Sequence, residues 1–162
     1  MNLRVHSTVA APRRKNAPAA AVDTSFLETL IGYNARRAAL AVIEVFMQRM
    51  APYDLRPVDF SVLSVITHNP GITSRQLCAT LGILPPNLVG MVNALEGRKL
   101  VSRKPHPSDG RATGLHLTAA GKKLVRSAEK TAAALETDVA SRLSGDETTL
   151  LISLLKKLYL PG

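Results

Sequence analysis

The chain has 162 residues, of which 46% are hydrophobic but only 4% aromatic, so one globular domain with an aliphatic core is expected. Its single cysteine excludes an intramolecular disulfide and a four-thiolate metal site, and its net charge of +9 points to a polyanionic partner. It has no apolar run of about 18 residues and no apolar segment after the N-terminus, so a cytoplasmic protein with no membrane partner is expected.

Residues 1–22 are rich in Ala and Pro, lack any hydrophobic period and read as a disordered basic arm. Such an arm either follows DNA or a partner subunit, or is a solubilising leader. Residues 23–55 read as an N-terminal dimerisation helix. From Ser25 to Ala51 the apolar Phe26, Leu27, Leu30, Ile31, Leu40, Ile43, Phe46, Met47 and Met50 recur at three- and four-residue steps. At ~1.5 Å per residue this helix spans roughly 40 Å.

Residues 56–117 change character. Pro57 opens a helix carrying Phe60, Leu63, Val65 and Ile66, which ends before Asn69-Pro70-Gly71. Thr73-Ser74-Arg75-Gln76 is a capping box, and Leu77 and Leu81 share one face of the short helix that Gly82 stops. Pro85 begins the next helix, with Leu88, Met91, Val92 and Leu95 apolar and Asn87, Gly90, Asn93 and Ala94 on the other face. That small-residue face suits close approach to another surface. The period then shortens to two in Val101-Ser102-Arg103-Lys104, turns through Pro105, Pro107, Asp109 and Gly110, and returns in Gly114-Leu115-His116-Leu117. Helix, turn, helix and basic hairpin in that order predict a winged helix-turn-helix.

Residues 118–162 read as C-terminal dimerisation helices. Thr118 caps a helix running to about Leu143, and Ser144-Gly145-Asp146-Glu147 is a second capping box. It opens a last helix with Leu150, Leu151, Leu154, Leu155 and Leu158 in step. The fold class is therefore mainly α, with long terminal helices around the winged unit and a small β-hairpin wing. The terminal leucines exceed what the central unit covers. A two-fold dimer through Phe26, Leu30, Leu151, Leu154, Leu155 and Leu158 is the economical solution, and a self-contained monomeric bundle is the alternative.

Five short motifs stand in order: Leu81-Gly82; Leu95-Glu96 with Arg98; Leu100-Val101 with Arg103; Asp109-Gly110-Arg111; and Leu117-Thr118-Ala119-Ala120-Gly121. From about Phe26 to Tyr159 the chain resembles the MarR family of bacterial transcriptional regulators. The resemblance implies a homodimer on a pseudo-palindromic operator, acting as a repressor and responding to a small aromatic acid or an oxidant. The chain departs from the family at Leu84-Pro85-Pro86-Asn87, where two prolines remove N–H groups from the start of the recognition helix. It also has Lys99 where the family favours Gly.

The charge distribution fits double-stranded DNA as partner. Residues 98–126 hold Arg98, Lys99, Arg103, Lys104, Arg111, Lys122, Lys123 and Arg126 against Asp109 alone. A solvated basic surface and a lipid site are the alternatives; an excess placed partly on a hairpin favours nucleic acid. Asn87 is the base reader, with Pro86, Leu88 or Val89 against thymine methyls and Gly90 and Asn93 on the same face as Asn87. Ser74 and Arg75 hold phosphates, Arg103 and Lys104 line the wing, and Arg111, steered by Asp109, enters the minor groove. The competing class is a winged helix whose basic face binds an acidic protein.

An aromatic effector, where the resemblance implies one, would meet Tyr33, Arg37, Phe60 and His68; the bland reading makes Phe60 core and Arg37 solvated. Cys78, in the short first helix of the winged unit, reads as a small hydrophobe rather than an oxidant sensor. The four histidines, His6, His68, His106 and His116, show no helical metal spacing, so no metal and no cofactor are expected. His106, Ser108 and Asp109 share one loop and cannot converge on an oxyanion hole, so no enzyme is expected.

Overall fold

A computed structural model describes residues 22–106 and 109–160; for residues 106 and 109–112 it describes the backbone alone. The chain falls into two compact units, 1–35 and 36–162.

In the first unit the single long helix expected from the sequence is broken. Helix α1, Ser25–Glu28, stops and α2, Ile31–Met50, starts afresh. The cause is local hydrogen bonding. Thr29 donates from both its N–H and its hydroxyl to the Phe26 carbonyl at 3.2 and 2.8 Å, and Leu30 N–H donates to Leu27 O at 3.0 Å. These tight turns close α1, and the Asn34 side-chain amide donates to the carbonyls of Glu28 and Leu30 at 2.8 and 2.9 Å, the latter also accepting the Asn34 N–H at 3.1 Å.

The second unit is built on α3, Pro57–His68. Its Val62, Leu63 and Ile66 meet Leu77 of α4 (Ser74–Leu81), Leu88, Val92 and Leu95 of α5 (Pro85–Gly97), and Val125, Ala128 and Leu135 of α6 (Ala119–Val139) in one buried aliphatic cluster. Phe46 and Met50 from the end of α2 complete it, with the Phe60 ring edge-on to Phe46 at 5.7 Å. Asp59 is buried in the first turn of α3. Arg56 reaches it in bidentate fashion at 2.7 and 3.0 Å, which raises the guanidinium pKa further above its ordinary value.

A three-stranded antiparallel sheet in the order β1-β3-β2 carries the hairpin: β1 is Ile72–Thr73, β2 Val101–His106 and β3 Asp109–Leu117. Strand β1 was not expected, because two residues carry no period to detect. Its position accounts for Gly114: a Cβ there would lie 2.7 Å from the Gly71 carbonyl oxygen. Gly121 is held more tightly still. A Cβ would lie 2.1 Å from Leu100 O, which also accepts the Thr118 N–H at 3.0 Å. Thr118 caps α6 by accepting from Gly121 N–H at 3.0 Å and donates to Lys99 O at 2.6 Å. Thus Leu117 to Gly121 fastens α6 directly to the turn after α5. Lys99 has φ 58°, the left-handed conformation that explains why glycine suits this place.

Helix α6 ends at Val139, short of the Leu143 expected, because Ala140 to Leu143 close a turn before Ser144 caps α7, Gly145–Tyr159. Glu147 returns to Ser144 N–H at 2.8 Å, which lowers its carboxyl pKa. No residue of α7 is buried. Its leucines border a cleft of ≈550 Å³ whose other walls are Ala38, Ala41, Val42 and Val45 of α2 and Val139 of α6.

Candidate DNA-binding surface

Helices α4 and α5 meet at 115°, within the range of a helix-turn-helix. The capping box at α4 is made: Thr73 Oγ accepts from Gln76 N–H at 3.3 Å and Gln76 Oε1 accepts from Thr73 N–H at 2.9 Å. Gly82, at φ 63°, ends α4 in the left-handed conformation. Ser74 and Arg75 are exposed on the first turn.

Helix α5 starts without a side-chain cap. Leu84 is extended, Pro85 and Pro86 bring no N–H, and Asn87 N–H is already donated to Leu84 O at 3.0 Å. The helix start therefore has no free amide to hold a phosphate, so recognition must come from side chains. Leu88, Val92 and Leu95 bury one face, so Leu88 belongs to the core and not to a thymine contact. Pro86, Asn87, Val89, Gly90 and Asn93 lie exposed on the other, and a Cβ at Gly90 would touch nothing within 4 Å.

Arg103 and Lys104 point opposite ways, as neighbours on a strand must. Arg103 does not stand free for a phosphate: it pairs with Glu96 and donates to Asn93 Oδ1 at 2.8 Å. Asn93 and Glu96 belong to α5 and Arg103 to β2, and no signal in the sequence showed that the three join. One consequence is chemical. With its carbonyl engaged, Asn93 has its amide hydrogens left to offer, which suits acceptors on a base edge. Lys104 instead lines a cleft with α3 and α6. Arg98, one of the basic set, donates to the carbonyls of Asp54 and Tyr53 at 2.7 and 2.9 Å, and so ties α5 to the turn before α3. Asp109 and Arg111 lie on β3, with Asp109 opposite His106. Their side chains fall outside the described residues, as does the arm of residues 1–21.

The residues assigned to an effector fall in both units. Tyr33 belongs to the first unit, Arg37 is exposed, Phe60 is partly buried against Phe46, and His68 Nε2 pairs with Glu129 at 3.1 Å. Phe60 and His68 are separated along α3 by about 12 Å. Cys78 is half-buried and packs against the core cluster. Among the described residues, no single helix is long and apolar enough to cross a membrane, and no three potential ligands gather to hold a metal.

A helix-turn-helix with a basic wing defines a DNA-binding regulator, and the MarR family model matches residues 53–112. The protein of Thauera aromatica assigned as transcriptional regulator of the hcr operon is 31% identical over 130 residues, covering 80% of this chain and 78% of that one. The transcriptional repressor CouR, solved bound to a 23-mer DNA duplex, is 38% identical with a TM-score of 0.81, covering 86% of this chain and 99% of its own. CouR bound to p-coumaroyl-CoA matches at 36% identity and a TM-score of 0.80, over 88% and 100% of the two chains. MarR of E. coli in its apo form matches at 26% and 0.69, over 82% and 98%. The chain belongs to the MarR family of transcriptional regulators.

Proposed function

We propose that the chain is a non-catalytic, homodimeric repressor that binds a pseudo-palindromic operator and leaves it when an aromatic ligand binds. The observation that carries this reading is α5. Its buried side is fixed by Leu88, Val92 and Leu95, while Asn87, Val89, Gly90 and Asn93 form an exposed face of small and amide side chains beside a basic hairpin. Asn87 pairs with adenine, Pro86 and Val89 meet thymine methyls, Ser74 and Arg75 hold phosphates, and Arg111 enters the flanking minor groove. Two copies joined through Phe26, Leu30, Leu151, Leu154, Leu155 and Leu158 set two recognition helices about 34 Å apart, one turn of duplex. CouR, a repressor solved both with DNA and with p-coumaroyl-CoA, supports the aromatic class of effector. In this chain Arg37 and Phe60 are the first residues to replace in locating its site.

The test is fluorescence anisotropy with duplexes selected from a random library, against random duplex, at several salt concentrations. Tight, salt-dependent binding to selected sequences is expected, with release by p-coumaroyl-CoA or a free aromatic acid. Arg111→Ala should lower the log–log salt slope of the dimer by roughly two. Equal and salt-insensitive affinity for all duplexes would overturn the reading in favour of an acidic protein partner.

A further inference from the structure

A second cleft, of ≈310 Å³, opens between α3, the root of the wing and α6, away from the exposed face of α5. Three elements build it. Ile66, Thr67 and Pro70 come from α3 and the turn after it, Lys104 and His116 from β2 and β3, and Lys122, Arg126 and Glu129 from one face of α6. Pairing of Ser102 with His116 places Lys104 and His116 on the same side of the sheet. The imidazole of His116 lies beside Gly71, where a Cβ would stand 3.5 Å from Cε1, an ordinary contact.

The charges do not cancel. Glu129 is the one acid lining the cleft, and its Oε1 is already held by Ser64 Oγ at 2.8 Å and His68 Nε2 at 3.1 Å. Among the described residues, Lys104, Lys122 and Arg126 have no carboxylate within 4.0 Å, whereas Arg49, Arg56, Arg98 and Arg103 each have one. A concave site with three cations that have no carboxylate partner among the described residues, a histidine and an apolar floor of Ile66 and Leu117 suits a phosphate group carried on a partly apolar molecule. We propose that this cleft binds the phosphate or pyrophosphate of a soluble organic ligand, and that the DNA backbone does not supply that phosphate. A duplex is held by cations spread along its backbone, whereas these three exposed cations line one cleft.

The probe is inorganic pyrophosphate in metal-free buffer, titrated calorimetrically into the full chain at fixed ionic strength. Two charge-matched variants are compared, Lys122→Ser/Arg126→Ser and, on α7, Lys156→Ser/Lys157→Ser. The expected result is saturable binding by the wild type, weakened about tenfold or more in the first variant and retained in the second. Circular dichroism of each variant checks folding, and the single variant Lys104→Ser, on the wing, gives an independent loss where the α6 pair disturbs the helix. No saturable binding by the wild type, or equal loss in both double variants, overturns the proposal. The salt slope on random duplex separates the two sources of phosphate. A slope that falls by roughly one per subunit in Lys122→Ser/Arg126→Ser, beyond the change in the α7 variant, assigns the cleft to the DNA backbone and overturns the soluble ligand.

Discussion

Helix α5 and helix α7 carry apolar residues at the same helical period, yet only one of them is covered. Leu88, Val92 and Leu95 of α5 are each 1% exposed, while Leu150, Leu151, Leu154, Leu155 and Leu158 of α7 range from 42% to 61%. The period of a helix reports that one face is apolar; what covers that face depends on other elements. For α5 the cover is α3, α4 and the sheet. For α7 the chain itself leaves five leucines about half open, and covering the rest would return on the order of 5 kcal/mol per protomer. A second copy of the same stripe is the cover proposed here, and it turns the difference between the two helices into an experiment.

The largest effect is expected from Leu154→Asp with Leu158→Asp. Each buried unpaired carboxylate costs several kcal/mol in a closed interface and almost nothing on an open surface. Sedimentation should show the wild type as a dimer at micromolar concentration and the variant as a folded monomer that binds selected operators at least a hundredfold more weakly. A wild-type monomer under those conditions would break the comparison at its root.

The winged unit is broken from within by Gly121→Ala. The new methyl must displace Leu100 O, a backbone atom that also accepts from Thr118, so α6 and the end of α5 must part. A loss of roughly 1–3 kcal/mol is expected, read as a lower unfolding midpoint in urea with the dimer retained. The same denaturation curve for Leu154→Asp/Leu158→Asp, extrapolated to the monomer, should keep the winged unit's own stability.

A smaller effect is expected at the junction of wing and α5. Arg103→Gln frees Asn93 Oδ1 and leaves Glu96 unpaired beside the DNA-facing side, where its charge opposes a phosphate backbone. Affinity for the selected operator should fall about tenfold, with a smaller fall on random duplex. A generic phosphate contact would lower both alike and reduce the salt slope by about one per subunit, so the ratio of the two affinities tells positioning from plain charge.

How much of this was legible follows from the range of each cause. Capping boxes at Thr73 and Ser144, the stop at Gly82 and the periods of α3 and α5 are local, and residues a few positions apart show them. The break at Thr29 is also local, but a run of apolar residues through it masks the hydroxyl that closes α1. Strand β1 and the methyl-free contacts of Gly114 and Gly121 depend on partners distant along the chain, and the Arg103–Asn93–Glu96 group joins a helix to the strand after it; no period encodes these. The cleft around Arg126 is of the same kind: its cations were visible as charge, while their convergence required three elements to meet.

The smallest effect is also the most discriminating, because two quantities should move in opposite directions. Gly90 sits in the middle of α5 on its exposed face, with open space where a Cβ would be. In an exposed helix interior, alanine stabilises relative to glycine by roughly 0.5–1 kcal/mol, since the unfolded chain loses freedom and the helix gains a better former. For the isolated protein, Gly90→Ala is therefore a mild improvement, measurable as a slightly higher melting temperature. In the proposed complex with DNA the same methyl would face the major groove between Asn87 and Asn93. If the glycine is there to let the backbone approach the base edges, the methyl holds α5 off and operator affinity falls several-fold while random-duplex binding, which needs no such approach, changes little. Raised stability with unchanged operator affinity would show that this face does not enter the groove closely, and would move the reading of bases to the wing.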